Sequence, residues 1–259
     1  MNKIKTYFKC IKIAIAQASA YRADFIVSTI LTLISNLLFP LITILIYSNG
    51  GSFPNWSMWE VFVIQSIYTL SQGIAAMISN SVLWVTMDHI RAGSFETVLL
   101  KPVSPLFYII STNFNINDVG LVIGGFTMLL ISLSFTGFGG IFAIIHFIIL
   151  FTCGVCVICG LNLIIASISF KWVGNSRLRE INETIKTFAK YPSTIFPEML
   201  RIIIAFFIPV GMIAFFPAEA ILGRSEQLYI FPAILSIVFL LFGRFLYHHM
   251  IKLYEGVGG

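Results

Sequence analysis

Residues 141–169, IFAIIHFIILFTCGVCVICGLNLIIASIS, contain no Asp, Glu, Lys or Arg. A helix needs roughly 20 such residues to cross the hydrocarbon core of a bilayer, so this stretch is a membrane span with length to spare for tilt. Lys171 and Trp172 close it with a charge and an interfacial aromatic. The rest of the chain has to be compatible with a protein that sits in lipid.

It is. Hydrophobic residues make up 58% of the chain and charged residues 10%, where a water-soluble domain carries roughly 25% charged. Similar apolar runs lie at 25–47, 58–83 and 229–247, and a fourth covers 119–135 at least, extending over 106–135 if Asn113, Asn115, Asn117 and Asp118 face protein rather than lipid. Trp56, Trp59 and Trp84 border the run at 58–83, while Gly50, Gly51, Gly137, Gly139 and Gly140 mark turns. Residues 173–190 are polar and by hydropathy form a loop or surface helix. Residues 200–216 are apolar, short and interrupted by Pro209, so they form either a fifth span or a hairpin dipping into the bilayer. Nothing before residue 25 has the form of a cleavable signal. Over residues 1–22, Ile4, Tyr7, Phe8, Ile11 and Ile15 recur at helical spacing opposite Lys5, Lys9 and Lys12, the pattern of a helix lying in the membrane surface.

The net charge of +5 does not point to nucleic acid, because the basic residues sit in short intervals between apolar runs rather than in a patch. With the N-terminus inside, every Lys and Arg except Arg224 falls in an interval on that side, so both termini are expected in the cytoplasm. Arg201 joins the exceptions if 200–216 is a hairpin, and the orientation is unchanged.

Catalytic signatures are missing. No Gly-Lys dipeptide occurs, so there is no phosphate-cradling loop, and neither a Gly-x-Ser-x-Gly elbow nor a His-Glu-x-x-His pair is found. Cys153, Cys156 and Cys159 have the spacing of an iron–sulfur run but lie inside an apolar span without a fourth thiol nearby, and read as small packing residues. No cofactor and no metal is expected on this chain. Gly120 and Gly124 form a Gly-x-x-x-Gly that lets two helices approach closely. His146, His248 and His249 lack an acidic partner at helical spacing and read as packing and interfacial residues. Gln65, Gln72 and Ser79, seven apart, put a polar stripe on the span at 58–83. With Glu60, Asp118 and Asn162 they are expected either to line a path or to serve a helix interface.

Residues 88–101 form a short amphipathic interval stopped by Pro102 and Pro105. Gly93 and Ser94 suit a helix start and Glu96 its first turn, leaving Phe95, Val98 and Leu99 as an apolar ridge for a partner's groove. Here the sequence Ile90-Arg91-Ala92-Gly93-Ser94-Phe95-Glu96-Thr97-Val98-Leu99-Leu100-Lys101-Pro102-Val103-Ser104 resembles the permeases of type-2 ATP-binding cassette (ABC) exporters. In those the segment reads Gly, a hydrophobic residue and Glu, then Leu-Leu, Pro-Val and Ser. Tyr191-Pro192, Phe196-Pro197, Arg201, Ile208-Pro209 and Pro217 resemble the same family's proline-rich signature, although Phe188-Ala189-Lys190 stands where Leu-Ser-Gly is usual. The match is nearest to the subgroup in which two different permease chains pair over a dimer of one ATPase.

The resemblance implies an all-α integral membrane protein of about six transmembrane helices in one permease domain. An N-terminal interfacial helix, a cytoplasmic coupling helix at 88–101, and a fifth span with an outer re-entrant hairpin within 173–222, the hairpin at 197–222, complete it. Ile90, Arg91, Gly93, Phe95, Glu96, Val98 and Leu99 would meet the ATPase subunits, which would use ATP and Mg that this chain does not bind. The expected partners are those ATPases, a second permease chain of different sequence, and lipid, in a bacterial plasma membrane. The competing expectation is a membrane scaffold or immunity-type protein that transports nothing.

Overall fold

A segment surrounded by lipid has to satisfy its backbone internally, which leaves helices as the form each run can take. In a computed structural model, which describes residues 3–172, 177–224 and 229–254, 82% is helical and no strand is formed among the described residues. The protein is an all-α integral membrane protein. Among the described residues five helical stretches are long and apolar enough to cross a membrane: Arg22–Ser48, Met58–Arg91, Ile116–Thr136, Ile141–Ser169 and Ile230–Ile251.

Helix α1 (Lys3–Ala20) leads through Tyr21 into α2 (Arg22–Ser48). Helix α3 (Met58–Ala75) opens on a capping box, in which the Ser57 hydroxyl accepts from the Glu60 N–H and the Glu60 carboxylate accepts from the Ser57 N–H. A π-helical turn, Ala76–Asn80, joins it to α4 (Ser81–Arg91), making one rod of 34 residues. At the helical rise the rod is about 50 Å long against roughly 30 Å of hydrocarbon, so one end projects. It stops where Gly93 takes a left-handed φ of 64°, a conformation open to glycine at little cost.

After the four-residue α5 (Glu96–Leu99), the stretch 106–135 is broken rather than continuous, as α6 (Pro105–Thr112), a 3-10 turn (Ile116–Asp118) and α7 (Val119–Thr136). The asparagines cause the break. Asn113 Nδ2 donates to the Ile109 carbonyl, Asn115 Oδ1 accepts from the Asn117 N–H, and Asn115 Nδ2 donates to Asp118 Oδ2 at 2.7 Å. Such local bonds compete with the helix ladder.

Helix α8 (Ile141–Ser169) packs along α12 (Ile230–Ile251) through Gly160 and Gly243. A Cβ on Gly243 would stand 2.8 Å from the Gly160 carbonyl oxygen. Helices α3 and α7 approach as closely, since a Cβ on Gly125 would lie 2.6 Å from the Leu70 backbone nitrogen. The pair Gly120 and Gly124 faces Thr29 and Leu33 of α2, so this Gly-x-x-x-Gly is used within the chain.

The polar stretch begins at 173–176, outside the described residues. From there α9 (Arg177–Thr187) packs on α8, and 3-10 turns at Phe188–Lys190 and Ser193–Ile195 lead to α10 (Glu198–Ile202) and a π-helical turn at Ile203–Phe207. The chain then dives inward at Val210–Ile213 and leaves through α11 (Phe215–Ile221). The tip is deep: Met212, Ile213 and Ala214 are fully buried. The Ser71 hydroxyl of α3 donates to the Ile213 carbonyl at 3.0 Å, and Gly154 of α8 leaves room for the Met212 carbonyl. Gly223 then rests on Gly139 at the level of the α7–α8 turn. Residues 198–221 thus make a hairpin that reaches the middle of the bundle and comes back.

Candidate functional site

Two places concentrate polar and aromatic side chains. The first is the projecting end of the rod. Residues 88–101 are not one helix: Asp88, Ile90 and Arg91 belong to α4, and the reversal at Gly93 folds α5 back onto the bundle. His89 holds the turn, its Nδ1 2.8 Å from Ser94 Oγ and its carbonyl accepting from the Ser94 N–H at 2.9 Å.

The reversal corrects the expected ridge. Phe95 is 0% exposed, its ring 4.9 Å from Phe170 and 5.4 Å from Tyr254 in edge-to-face geometry. Val98 and Ile90 are buried beside it, so these side chains knit the chain to itself. What lies open is Arg91, Glu96, Thr97, Leu99 and Leu100, the last 84% exposed. Phe170 also meets Tyr247 at 5.6 Å, and the Tyr247 hydroxyl lies 2.8 Å from Thr86 Oγ1. One aromatic knot therefore binds the ends of α4, α5, α8 and α12. Burial pushes the Tyr254 hydroxyl above the ordinary tyrosine range, and the Glu96 charge adds to it.

The second place is a polar seam inside the bundle. Asn162 of α8, fully buried, donates through Nδ2 to Ser79 Oγ at 2.9 Å and to Asn80 Oδ1 at 3.4 Å. It accepts through Oδ1 from Asn182 Nδ2 of α9 at 3.0 Å. The π-helical turn, α8 and α9 are joined by this chain of amides. A π-turn leaves carbonyls and side chains out of register with the regular ladder, which suits a point where another element plugs in.

Of the expected lining residues, Ser79 and Asn162 come together. Gln65 sits elsewhere, donating to Thr43 Oγ1 of α2 at 2.7 Å, and Gln72 is half-buried; neither amide oxygen has a partner. Asp118 is at the start of α7 with Asn115. The seam's remaining members were not singled out by hydropathy. Asn182 and Lys186 are fully buried, and Lys186 Nζ is paired with Glu183 Oε1 at 2.6 Å. Arg179 Nη2 lies 2.8 Å from Asp88 Oδ1, with its guanidinium 3.8 Å over the Trp84 ring. Lys190 Nζ lies 3.6 Å from the centroid of Phe39. A signal was present: Leu178, Asn182, Lys186 and Ala189 recur at helical spacing and are the buried face of this segment. A buried cation needs a paired carboxylate, and Glu183 one turn away supplies it.

Among the described residues no group of three or more His, Cys, Asp or Glu side chains could hold a metal ion. Cys153 is buried and Cys156 and Cys159 half-buried on α8, all as free thiols. The His146 ring lies against Tyr229, 6.2 Å between centroids. The arrangement offers no reacting constellation. It offers a rigid, partly open surface at one end of the rod and a polar interior connected to it through Asp88 and Arg179.

Against known families, the model described as ABC-2 family transporter protein matches residues 27–258. No curated protein and no solved structure matches the chain.

Proposed function

This chain belongs to the ABC-2 family of transporter proteins, and we propose that it is the permease subunit of an exporter driven by ATP hydrolysed in separate ATPase subunits. Members of the family are membrane components rather than catalysts. In the proposed complex the nucleotide and its Mg stay with the ATPase. This chain works beside a second permease chain in a bacterial plasma membrane, with both termini in the cytoplasm.

The observation that carries the reading is the aromatic knot under α5. A surface that receives force has to be firmly joined to what it moves. Phe95 and Val98 anchor α5 into the ends of α4, α8 and α12, while Glu96, Thr97, Leu99 and Leu100 stay open to a partner. An ATPase groove closing on Leu99 and Leu100 would displace three long helices together, and Asp88 with Arg179 would carry that displacement to α9. The docking anchor is thereby moved from Phe95 to Leu100.

The test compares the two residues in the purified complex. Leu100→Asp is expected to reduce ATPase co-purification by at least about tenfold, the effect of losing an interfacial anchor, while insertion and thermal stability stay at wild type. Phe95→Ala is expected instead to destabilise the permease itself by about 3 kcal/mol, as the loss of a buried aromatic does. Undiminished association and cargo-stimulated hydrolysis in Leu100→Asp would remove α5 as the docking surface. Orientation is read separately by single-cysteine labelling, with Ser52 expected to react from outside the cell and Ser94 not.

A further inference from the structure

The hairpin at 198–221 carries two opposite charges into one cavity without pairing them. On its inbound limb, the Arg201 side chain of α10 makes no hydrogen bond or ion pair among the described residues. On its outbound limb, Glu219 of α11 accepts from the Tyr229 hydroxyl through Oε2, while Oε1 has no donor among the described residues. The field of Arg224 reaches Glu219, but the hydrogen bonds of that guanidinium go to Glu60 and to the Asn55 carbonyl. Arg201 and Glu219 line a cavity of about 410 Å³ together with Ser193, Thr194 and Tyr229. Glu198, one turn before Arg201, is exposed and does not line it. The cavity therefore holds one cation and one anion and is neutral as a whole.

Its place in the fold orders these groups by depth. Arg201 lies near the start of one limb and Glu219 near the end of the other, both on the shallow side of the buried tip at Met212, Ile213 and Ala214. Tyr229, the residue before α12, marks the end of a membrane span, the level at which tyrosine and charged side chains sit among headgroups. Further in, the wall turns apolar. Ile202 and Phe206 line the cavity while staying 45% and 43% exposed, and the Phe206 ring meets the exposed Phe231 of α12 at 5.7 Å between centroids. Lipid tails solvate such side chains as well as protein does. A charged end at the interface and an apolar side open to the tails follow the outline of a phospholipid.

We infer that this cavity binds a zwitterionic, amine-bearing phospholipid of the phosphatidylethanolamine type, its phosphate on Arg201, its ammonium on Glu219 and one acyl chain along Ile202 and Phe206. The planar guanidinium fork matches two phosphate oxygens at once. A primary ammonium has N–H groups to give the Glu219 carboxylate, and the trimethylammonium of a choline headgroup has none. An anionic headgroup would satisfy Arg201 but bring a second negative charge towards Glu219. The pair of charges thus selects the ethanolamine headgroup over both.

The experiment uses the purified full chain in detergent and needs no ATPase subunit. Phosphatidylethanolamine, phosphatidylcholine and phosphatidylglycerol with identical acyl chains are added in equal amounts, and native mass spectrometry reads which lipid stays bound. Phosphatidylethanolamine is expected to exceed each competitor by at least about tenfold, the effect of one hydrogen bond between charged groups. Arg201→Ala is expected to lower its retention by a similar factor. Glu219→Gln, which keeps an acceptor for the Tyr229 hydroxyl, is expected to retain phospholipid but to lose the preference for ethanolamine over choline. Thr194→Trp, on the exposed rim, fills the cavity without altering either charge and is expected to lower retention as well, so the test does not hang on one variant. Equal retention of the three lipids by the wild type, or retention of none, would overturn the inference. A preference for phosphatidylglycerol would overturn it by making Arg201 the sole anchor, and an ethanolamine preference that survives all three substitutions would overturn it by placing the lipid elsewhere on the chain.

Discussion

Two helices of this protein pass for the same kind of object by hydropathy and occupy opposite environments. In its most apolar stretch α2 is 11% buried, whereas the rod of α3 and α4 is 78% buried, and the rod is the less apolar of the two. In water the more hydrophobic segment would be the core. In lipid the order inverts, because tails solvate Leu and Ile as well as protein does, and polar side chains are what a helix has to hide. The rod meets α7 backbone to backbone at Gly125 and receives the Ile213 carbonyl on Ser71. Helix α2 meets α7 through the Thr29 backbone and methyl at Gly120 and through the Leu33 side chain alone at Gly124, and is tied to the rod by Gln65 and Thr43.

The strongest way to break this comparison is a pair of adjacent glycines. In Gly125→Val the new Cβ would stand 2.6 Å from the Leu70 nitrogen, a backbone atom that cannot swing away. The folded permease is expected to be lost from detergent extracts. In Gly124→Val the Cβ meets only the Leu33 Cδ2 at 2.7 Å, and the unfolding free energy should fall by less than an overpacked core site demands, under about 1 kcal/mol. Equal losses would mean that α2 is as firmly packed as the rod. Next in size, Ile64→Ala in the rod removes a fully buried side chain and should cost about 2 kcal/mol in reversible unfolding from mixed micelles. Leu38→Ala on the exposed face of α2 should cost nearly nothing, since lipid refills the space. The smallest effect sharpens the tie between them. Thr43→Val should cost about 0.6 kcal/mol, the usual worth of a hydrogen bond between membrane helices. Gln65→Leu should cost less, because an amide oxygen without a partner leaves with it.

The same inversion decides what could be read in the sequence. The membrane class and the apolar runs were legible because long uncharged stretches bordered by Trp and Lys have one stable place to go. Helix α9 was not placed by hydropathy, since Asn182 and Lys186 look like surface residues until Asn162 and Glu183 are seen opposite them. The break at 113–118 was foreshadowed by its asparagines, but their local bonds are a matter of geometry. Periodicity rightly grouped Phe95 with Val98, yet it cannot say what a face meets. The turn at Gly93 directs that face onto Phe170 and Tyr254, and the fold rather than the partner takes it. The π-helical turn at Ala76–Asn80 left no mark in the sequence that separates it from ordinary helix.

The rod's polar partners also set a timetable for the ribosome. Ser71 waits for the Ile213 carbonyl, 142 residues later. Thr86 waits for Tyr247, 161 residues later, and Glu60 for Arg224, 164 residues later. The second membrane segment to be synthesised therefore stays incomplete until the last has emerged. During that interval it has to be sheltered by the insertion machinery or by a chaperone in the bilayer, and a nascent chain that stalls before Arg224 displays an unmatched polar helix to the quality-control proteases of the membrane.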